Sequence, residues 1–139
     1  MFPLRFKTRY RFDDRQTGIA VPVSLRVSDV SLDLTAKIDT GADYCMFERG
    51  YAEALAIDVE KGELREFSSM GGSFQAFGHE LTIQVLDLTL DSTTVYFYQD
   101  SGKMRNVLGR HGFLNRVRLG LIEHDSAVYC SPYDDDLED

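Results

Sequence analysis

Two apolar runs with a strict period of two constrain this chain more than any other feature. Ile19, Val21, Val23, Leu25 and Val27 fall on one face of the first, with Ala20, Pro22, Ser24 and Arg26 on the other. After Ser28-Asp29 the pattern resumes with Val30, Leu32, Leu34, Ala36 and Ile38. Successive strand side chains point to opposite faces, so each run reads as a strand with one face on a core. The polar pair between them reads as a hairpin turn. Pro22 has no amide hydrogen to give a ladder, which puts the first strand near an edge or at a bulge. The second strand delivers a compact acidic turn, Lys37-Ile38-Asp39-Thr40-Gly41-Ala42-Asp43.

Weaker signals extend the β reading. Phe2, Leu4 and Phe6 alternate and suggest a short strand over 2–6, followed by a polar loop over 9–18. Residues 63–67 and 74–77 flank Ser68-Ser69-Met70-Gly71-Gly72-Ser73, two runs around a Gly-Gly tip, which is a hairpin pattern. Leu81, Ile83 and Val85 alternate, as do Leu86, Leu88 and Leu90. Val95-Tyr96-Phe97-Tyr98 is strongly β-prone. Residues 100–103 read as a loop, and Leu119, Leu121 and residues 127–129 as late strands. Within residues 47–57, Phe47, Tyr51, Ala54 and Leu55 fall at helical spacing and suggest a short helix, and residues 110–117 have room for about two helical turns. With 139 residues, no repeat and no linker, the economical reading is one mostly-β domain over 1–133. Residues 134–139 form an acidic block that repels itself and should be a solvated tail.

Composition narrows the function classes. A net charge of −8 lacks the footprint of a nucleic-acid binder. No apolar run approaches the ~20 residues that span a bilayer. Charge interrupts the apolar positions of residues 1–7, unlike a signal peptide. Cys45 and Cys130 are far apart and make no disulfide framework, which fits a reducing cytoplasm. His79, His111 and His124 show no metal-ligand spacing, so no metal or cofactor is expected. Cys45 has no nearby histidine to activate it and suits a small buried residue.

Asp39 ends an apolar strand, so its carboxylate should stand at the rim of a core, partly shielded from water. Taken alone, Asp39-Thr40-Gly41 is equally an ordinary turn in which the aspartate caps local amides. A second stretch, Val107-Leu108-Gly109-Arg110, changes the weighing. Together with Ile38-Asp39-Thr40-Gly41-Ala42-Asp43 and Met70-Gly71-Gly72, and in that order, it resembles the single-lobe aspartic proteases of the retropepsin type. The resemblance spans residues 19–121.

That resemblance implies both a fold and a set of roles. The fold would be a retropepsin-like closed β-barrel, one lobe of the acid protease fold, with one or two short helices and a flap hairpin. Asp39 would be the catalytic aspartate, Thr40 would interlock with its copy in a second subunit, and the Gly41 carbonyl would face the substrate backbone. Ala42 and Asp43 would lie against the substrate. Met70, Gly71 and Gly72 would form the flap tip, and Met104, Arg105 and Val107 would line side-chain pockets. Gly109 and Arg110 would be structural at the site, with Arg110 paired to Asp43. The chain carries one such aspartate motif and is too short for two lobes, so the expected enzyme is an aspartic endopeptidase active as a homodimer on extended peptides. Two departures stand out. The chain runs on past Leu121, and Arg105 puts a charge where an apolar wall is expected. Arg105 would either point to solvent or, facing the cleft, attract acidic substrate side chains. Two other readings remain open on the sequence: a catalytically idle dimerisation or peptide-binding module on the same fold, and a small-molecule or metal-binding barrel.

Overall fold

The computed structural model describes residues 1–136. Ten strands account for most of them: β1 (Thr8–Arg11), β2 (Ala20–Val27), β3 (Val30–Ile38), β4 (Met46–Phe47), β5 (Glu63–Ser69), β6 (Gly72–Val85), β7 (Leu88–Tyr98), β8 (Val107–Leu108), β9 (Val117–Ile122) and β10 (Ala127–Pro132). One short helix, α1 (Arg49–Ala54), follows β4.

The two alternating runs are the hairpin β2–β3, with Val27 paired to Val30 across Ser28-Asp29. Their inward residues Val21, Val23, Leu25, Leu34 and Ala36 are buried. β6 is long because it serves two partners. Residues 72–78 pair with β5 and residues 82–85 with β2, and a register shift between Leu81 and Ile83 turns the strand from one to the other. The β2–β6 contact closes β2-β3-β8-β4-β7-β6 into a ring, and β5 hangs outside it as a free arm of the hairpin. Pro22 sits where β2 has β3 on one side and has not yet met β6, so its missing donor costs no ladder bond there.

The ring encloses the main core, in which Phe47, Phe97, Phe113, Leu25, Ile83 and Leu108 are fully buried. A smaller cluster of Met46, Ala76, Tyr96, Tyr98 and Val107 lies beside it, with Tyr44, Phe67 and Phe74 packed on top. A second sheet, β1-β10-β9, shares no ladder with the ring but packs on the same core through Val117 and Cys130.

Three local expectations differ from the structure. Residues 2–6 form no strand: Phe2 and Leu4 are exposed, while Phe6 packs against Tyr129 and over Gly120. The first strand is instead Thr8–Arg11, which overlaps the start of the segment expected to be loop, because β10 offers it a complete antiparallel register. Residues 110–117 make only the single 3-10 turn Leu114–Arg116. Gly112 at φ +105 breaks the helical path before it can start. The expected helix over 47–57 shortens to Arg49–Ala54, since Phe47 is committed to β4. The β6–β7 turn gave no sequence signal: Leu86 and Asp87 both lie in the left-handed region, at φ 49 and 70. At the acidic C-terminus, Asp135 pairs with Lys7 at 2.9 Å and its carbonyl accepts from Arg118. Residues 137–139 of that expected tail lie outside the described residues.

Burial pushes both thiols, Cys45 and Cys130, up to about 11 from an ordinary 9.0. A group held protonated by burial contributes stability below its unfolded pKa and loses it as pH rises through the folded one. We therefore expect a chemical-denaturation series to show folding stability falling between pH 9 and 11, and a thiol reagent at pH 8 to label neither cysteine until the chain is unfolded.

Candidate active site

Asp39 owes its position to β8. Val107 and Leu108 lie between β3 and β4, parallel to the first (Lys37 with Val107, Ile38 with Leu108) and antiparallel to the second (Met46 with Val107). The chain leaving β3 must therefore cross over the end of β8 to reach β4, and residues 39–45 are that crossing. Asp39 N–H donates to the Leu108 carbonyl at 3.0 Å. On the far side of the crossing, the Arg110 and His111 amides donate to the Ala42 and Asp43 carbonyls, both at 2.8 Å. Gly109 is the point of closest approach. A Cβ there would stand 2.4 Å from the Tyr44 carbonyl oxygen and 2.7 Å from that of Ala42. Glycine is required at this position because two backbones touch.

Inside the crossing, the turn is closed by Ala42 N–H to the Asp39 carbonyl at 3.2 Å and by Gly41 N–H to Asp39 Oδ1 at 2.9 Å. That second bond orients the carboxylate. The other oxygen, Oδ2, accepts from Arg105 Nη2 at 2.6 Å. The Asp39 side chain is 29% exposed and that of Arg105 63%. Asn106 fixes the backbone beside Arg105: its Oδ1 accepts from the Glu48 amide at 2.9 Å and its Nδ2 donates to the Glu48 carboxylate.

Two cavities meet at Asp39. One, of about 240 Å³, is walled by Ala42, Asp43, Tyr44, Phe67, Phe74 and Tyr98, with Ser68 and Ser69 of β5 above and Lys103 at the rim. The other, of about 620 Å³, opens towards Gln16, Lys37 and Met104. Asp39, Arg105 and Val107 line both and form the partition between them. Phe67 and Phe74 face each other across the hairpin, their rings stacked at 5.4 Å. Tyr44 packs edge-on against Phe67 and Tyr96, and Arg65 lies over its ring. Burial raises the Tyr98 hydroxyl above its ordinary range, against the opposing pull of the nearby Arg105 charge.

Most of the residues singled out in the sequence converge here. Asp39, Gly41, Ala42, Asp43, Arg105 and Val107 line the smaller cavity, and Met104 the larger. Thr40 is exposed at the crossing, beside the Asp39 carboxylate. Met70, Gly71 and Gly72 sit at the exposed hairpin tip and touch neither cavity; the hairpin residues that do are Phe67, Ser68, Ser69 and Phe74. The expected Asp43–Arg110 ion pair is not formed. Both side chains stand toward solvent, and the two segments are held by the amides named above. Arg105, though largely exposed, turns its guanidinium to the cavity and caps Asp39. Sequence reasoning missed Tyr44, Phe67, Phe74, Tyr98 and Lys103 as cleft residues. A usable signal existed for two of them, because Phe67 and Phe74 stand symmetrically about Met70-Gly71 and pair across the hairpin once the turn is placed there. Cys45 is fully buried behind the site and is no nucleophile.

An aspartyl protease family model matches residues 23–124. Among solved structures, the chain is similar to a retropepsin-like aspartic protease from Rickettsia conorii at 15% identity, with a TM-score of 0.62 over 88% of this chain and 96% of that one. A search of curated protein sequences finds no match.

The crossing at Gly109 gives a direct test of this geometry. Gly109→Ala forces a methyl into two carbonyl oxygens, and overpacking of this kind costs about 1–3 kcal/mol. We expect urea denaturation to show stability lowered by that amount, together with amide shifts at residues 39–44 in NMR spectra. A variant as stable as the parent would mean the two backbones do not cross so closely.

Proposed function

This chain belongs to the aspartyl protease family, in its retropepsin-like form, and on that premise we propose that it is an endopeptidase whose active site is completed by a second copy of itself. The observation that carries this reading is the single Asp39-Thr40-Gly41 crossing, which sets one shielded carboxylate at the junction of two cavities beneath a glycine-tipped hairpin. Hydrolysis by this chemistry needs two carboxylates, and the chain has one such crossing. A twofold axis through it supplies the second, with each subunit's exposed Thr40 beside its partner's.

Two carboxylates at ~3 Å cannot both ionise and share one proton, the behaviour the aspartic proteases exemplify. The ionised Asp39 removes a proton from a bound water, and the resulting hydroxide adds to the peptide carbonyl carbon. The protonated Asp39 donates to the carbonyl oxygen, giving a neutral diol. Transfer of a proton to the amide nitrogen then breaks the C–N bond and releases amine and acid. The substrate lies extended, adding its backbone edge to the Gly41 carbonyl and to the β5–β6 hairpin. That hairpin acts as a flap: its exposed tip of Met70, Gly71 and Gly72 closes over the peptide and excludes water. Two free buried thiols suit a reducing compartment, which supports a cytoplasmic enzyme.

Cleavage of a mixed peptide library between about pH 4 and 7 checks the assignment, because the pair must hold one proton in the working range. Asp39→Asn, which keeps the shape and removes the charge, should lower the rate by at least about a thousandfold. Activity per chain should also fall on dilution as the dimer dissociates. Cleavage that survives Asp39→Asn in a folded protein would overturn the reading and favour an idle module carrying a contaminant's activity.

A further inference from the structure

The cleft beside Asp39 carries a charge that its aromatic walls do not explain. Arg105 and Lys103 both line the smaller cavity. The Lys103 ammonium sits 5.1 Å over the Phe74 ring, and no carboxylate of the described residues pairs with it. Arg105 uses one nitrogen on Asp39, and its remaining donors have no partner among the described residues. A guanidinium presents five donors in a planar fork suited to grip a carboxylate with two of them. Tyr44, Phe67, Phe74 and Tyr98 line the cavity on which these partly exposed cations border, and beside such apolar surface a charge-assisted bond is stronger than in open water.

We propose that Arg105 and Lys103 form a subsite for an acidic side chain of the substrate next to the cleaved bond, and that this carboxylate draws the Arg105 guanidinium off Asp39. The proposal rests on the reading of Asp39 as half of the hydrolytic pair. An apolar side chain entering this cavity would set hydrocarbon against two cations and strip their water without replacing it. A carboxylate replaces that water with charge-assisted bonds. The second half of the proposal comes from Asp39 itself. Gly41 N–H bonds one lone pair of Oδ1 and the Arg105 guanidinium one of Oδ2, so a bulky cation stands on the approach to the Asp39 oxygen that a second carboxylate and a water would share. Trading Asp39 for a substrate carboxylate keeps Arg105 paired and frees Oδ2 for the reaction. Recognition of the acidic residue and release of the catalytic group are then one event. Because the chain carries a net charge of −8, its wider field repels acidic peptides. Selection should therefore be confined to one position and not extend along the substrate.

The test uses capped decapeptides that differ only by Glu or Gln at each position around the cleaved bond. The full-length protein should cleave the Glu peptide at least about tenfold faster at one position, the scale of a hydrogen bond to a charged group. Arg105→Gln should bring the ratio to near parity, and Lys103→Gln should reduce it partway. Equal cleavage of both peptides by the parent, or a preference that survives Arg105→Gln, would overturn the subsite. Binding of the same peptides to Asp39→Asn, with and without Arg105→Gln, separates this failure from failure of the hydrolytic reading. Tighter Glu binding that depends on Arg105, when the parent chain itself cleaves nothing, would keep the subsite and remove the protease assignment. Cleavage without Glu discrimination would do the reverse. Neither cleavage nor Arg105-dependent binding would overturn both.

Discussion

Everything at the cleft depends on a two-residue strand being wedged between two others. Val107 and Leu108 hydrogen-bond to β3 on one side and β4 on the other, and this forces the chain between those strands to climb over Gly109. Buried apolar side chains hold the wedge in place: Leu108 joins the main core, and Val107 the smaller aromatic cluster. Four backbone bonds then tie the crossing down, and none of them uses a side chain that chemistry needs. The result is a carboxylate fixed by the main chain on rigid elements, the condition under which a reactive group holds its geometry.

Around that fixed point, the structure collects side chains from far apart in the sequence. Arg105 and Asp39 are separated by 66 positions yet meet at 2.6 Å. Phe67 and Phe74 arrive from the hairpin, Tyr98 from the end of β7, and Tyr44 from the crossing itself. The aromatic layer does two jobs. It packs the hairpin base onto the ring through Met46, Tyr96 and Val107, and it lines the cavity with low-dielectric walls. The hairpin tip beyond this layer has no such packing, since Met70 stands fully in solvent. A firm base with an unpacked tip is the distribution of local stability that a closing element needs.

Period-two alternation made β2 and β3 legible, together with the turn between them and the strand-end position of Asp39. The glycine pair located the tip of the β5–β6 hairpin for a similar reason: glycine there is demanded by local backbone geometry. What stayed hidden was decided by partners distant in the chain. Phe2, Leu4 and Phe6 alternate as well as any strand, but β10 pairs with residues 8–11, whose pattern is weaker. Residues 110–117 have room for two helical turns, yet Gly112 at positive φ turns the chain away. The Asp43–Arg110 pair is unformed because backbone bonds already fix those two segments while both side chains face water. Arg105 could be marked as out of place from its charge alone. Its contact with Asp39 is a long-range consequence of β3 and β8 lying side by side, and no local pattern encodes it.

The central claim is that each chain holds half of an active site. Mixing is the most direct measurement of it. Parent protein is combined with increasing Asp39→Asn chain under conditions where subunits exchange, and peptide cleavage is followed per parent chain. If two Asp39 residues from different chains form the site, an equal mixture leaves about a quarter of the dimers fully competent, so activity per parent chain falls to about half. It should continue downwards as the variant is added in excess. Activity per parent chain that stays constant through the titration would mean that one chain carries a complete site, and would contradict the claim.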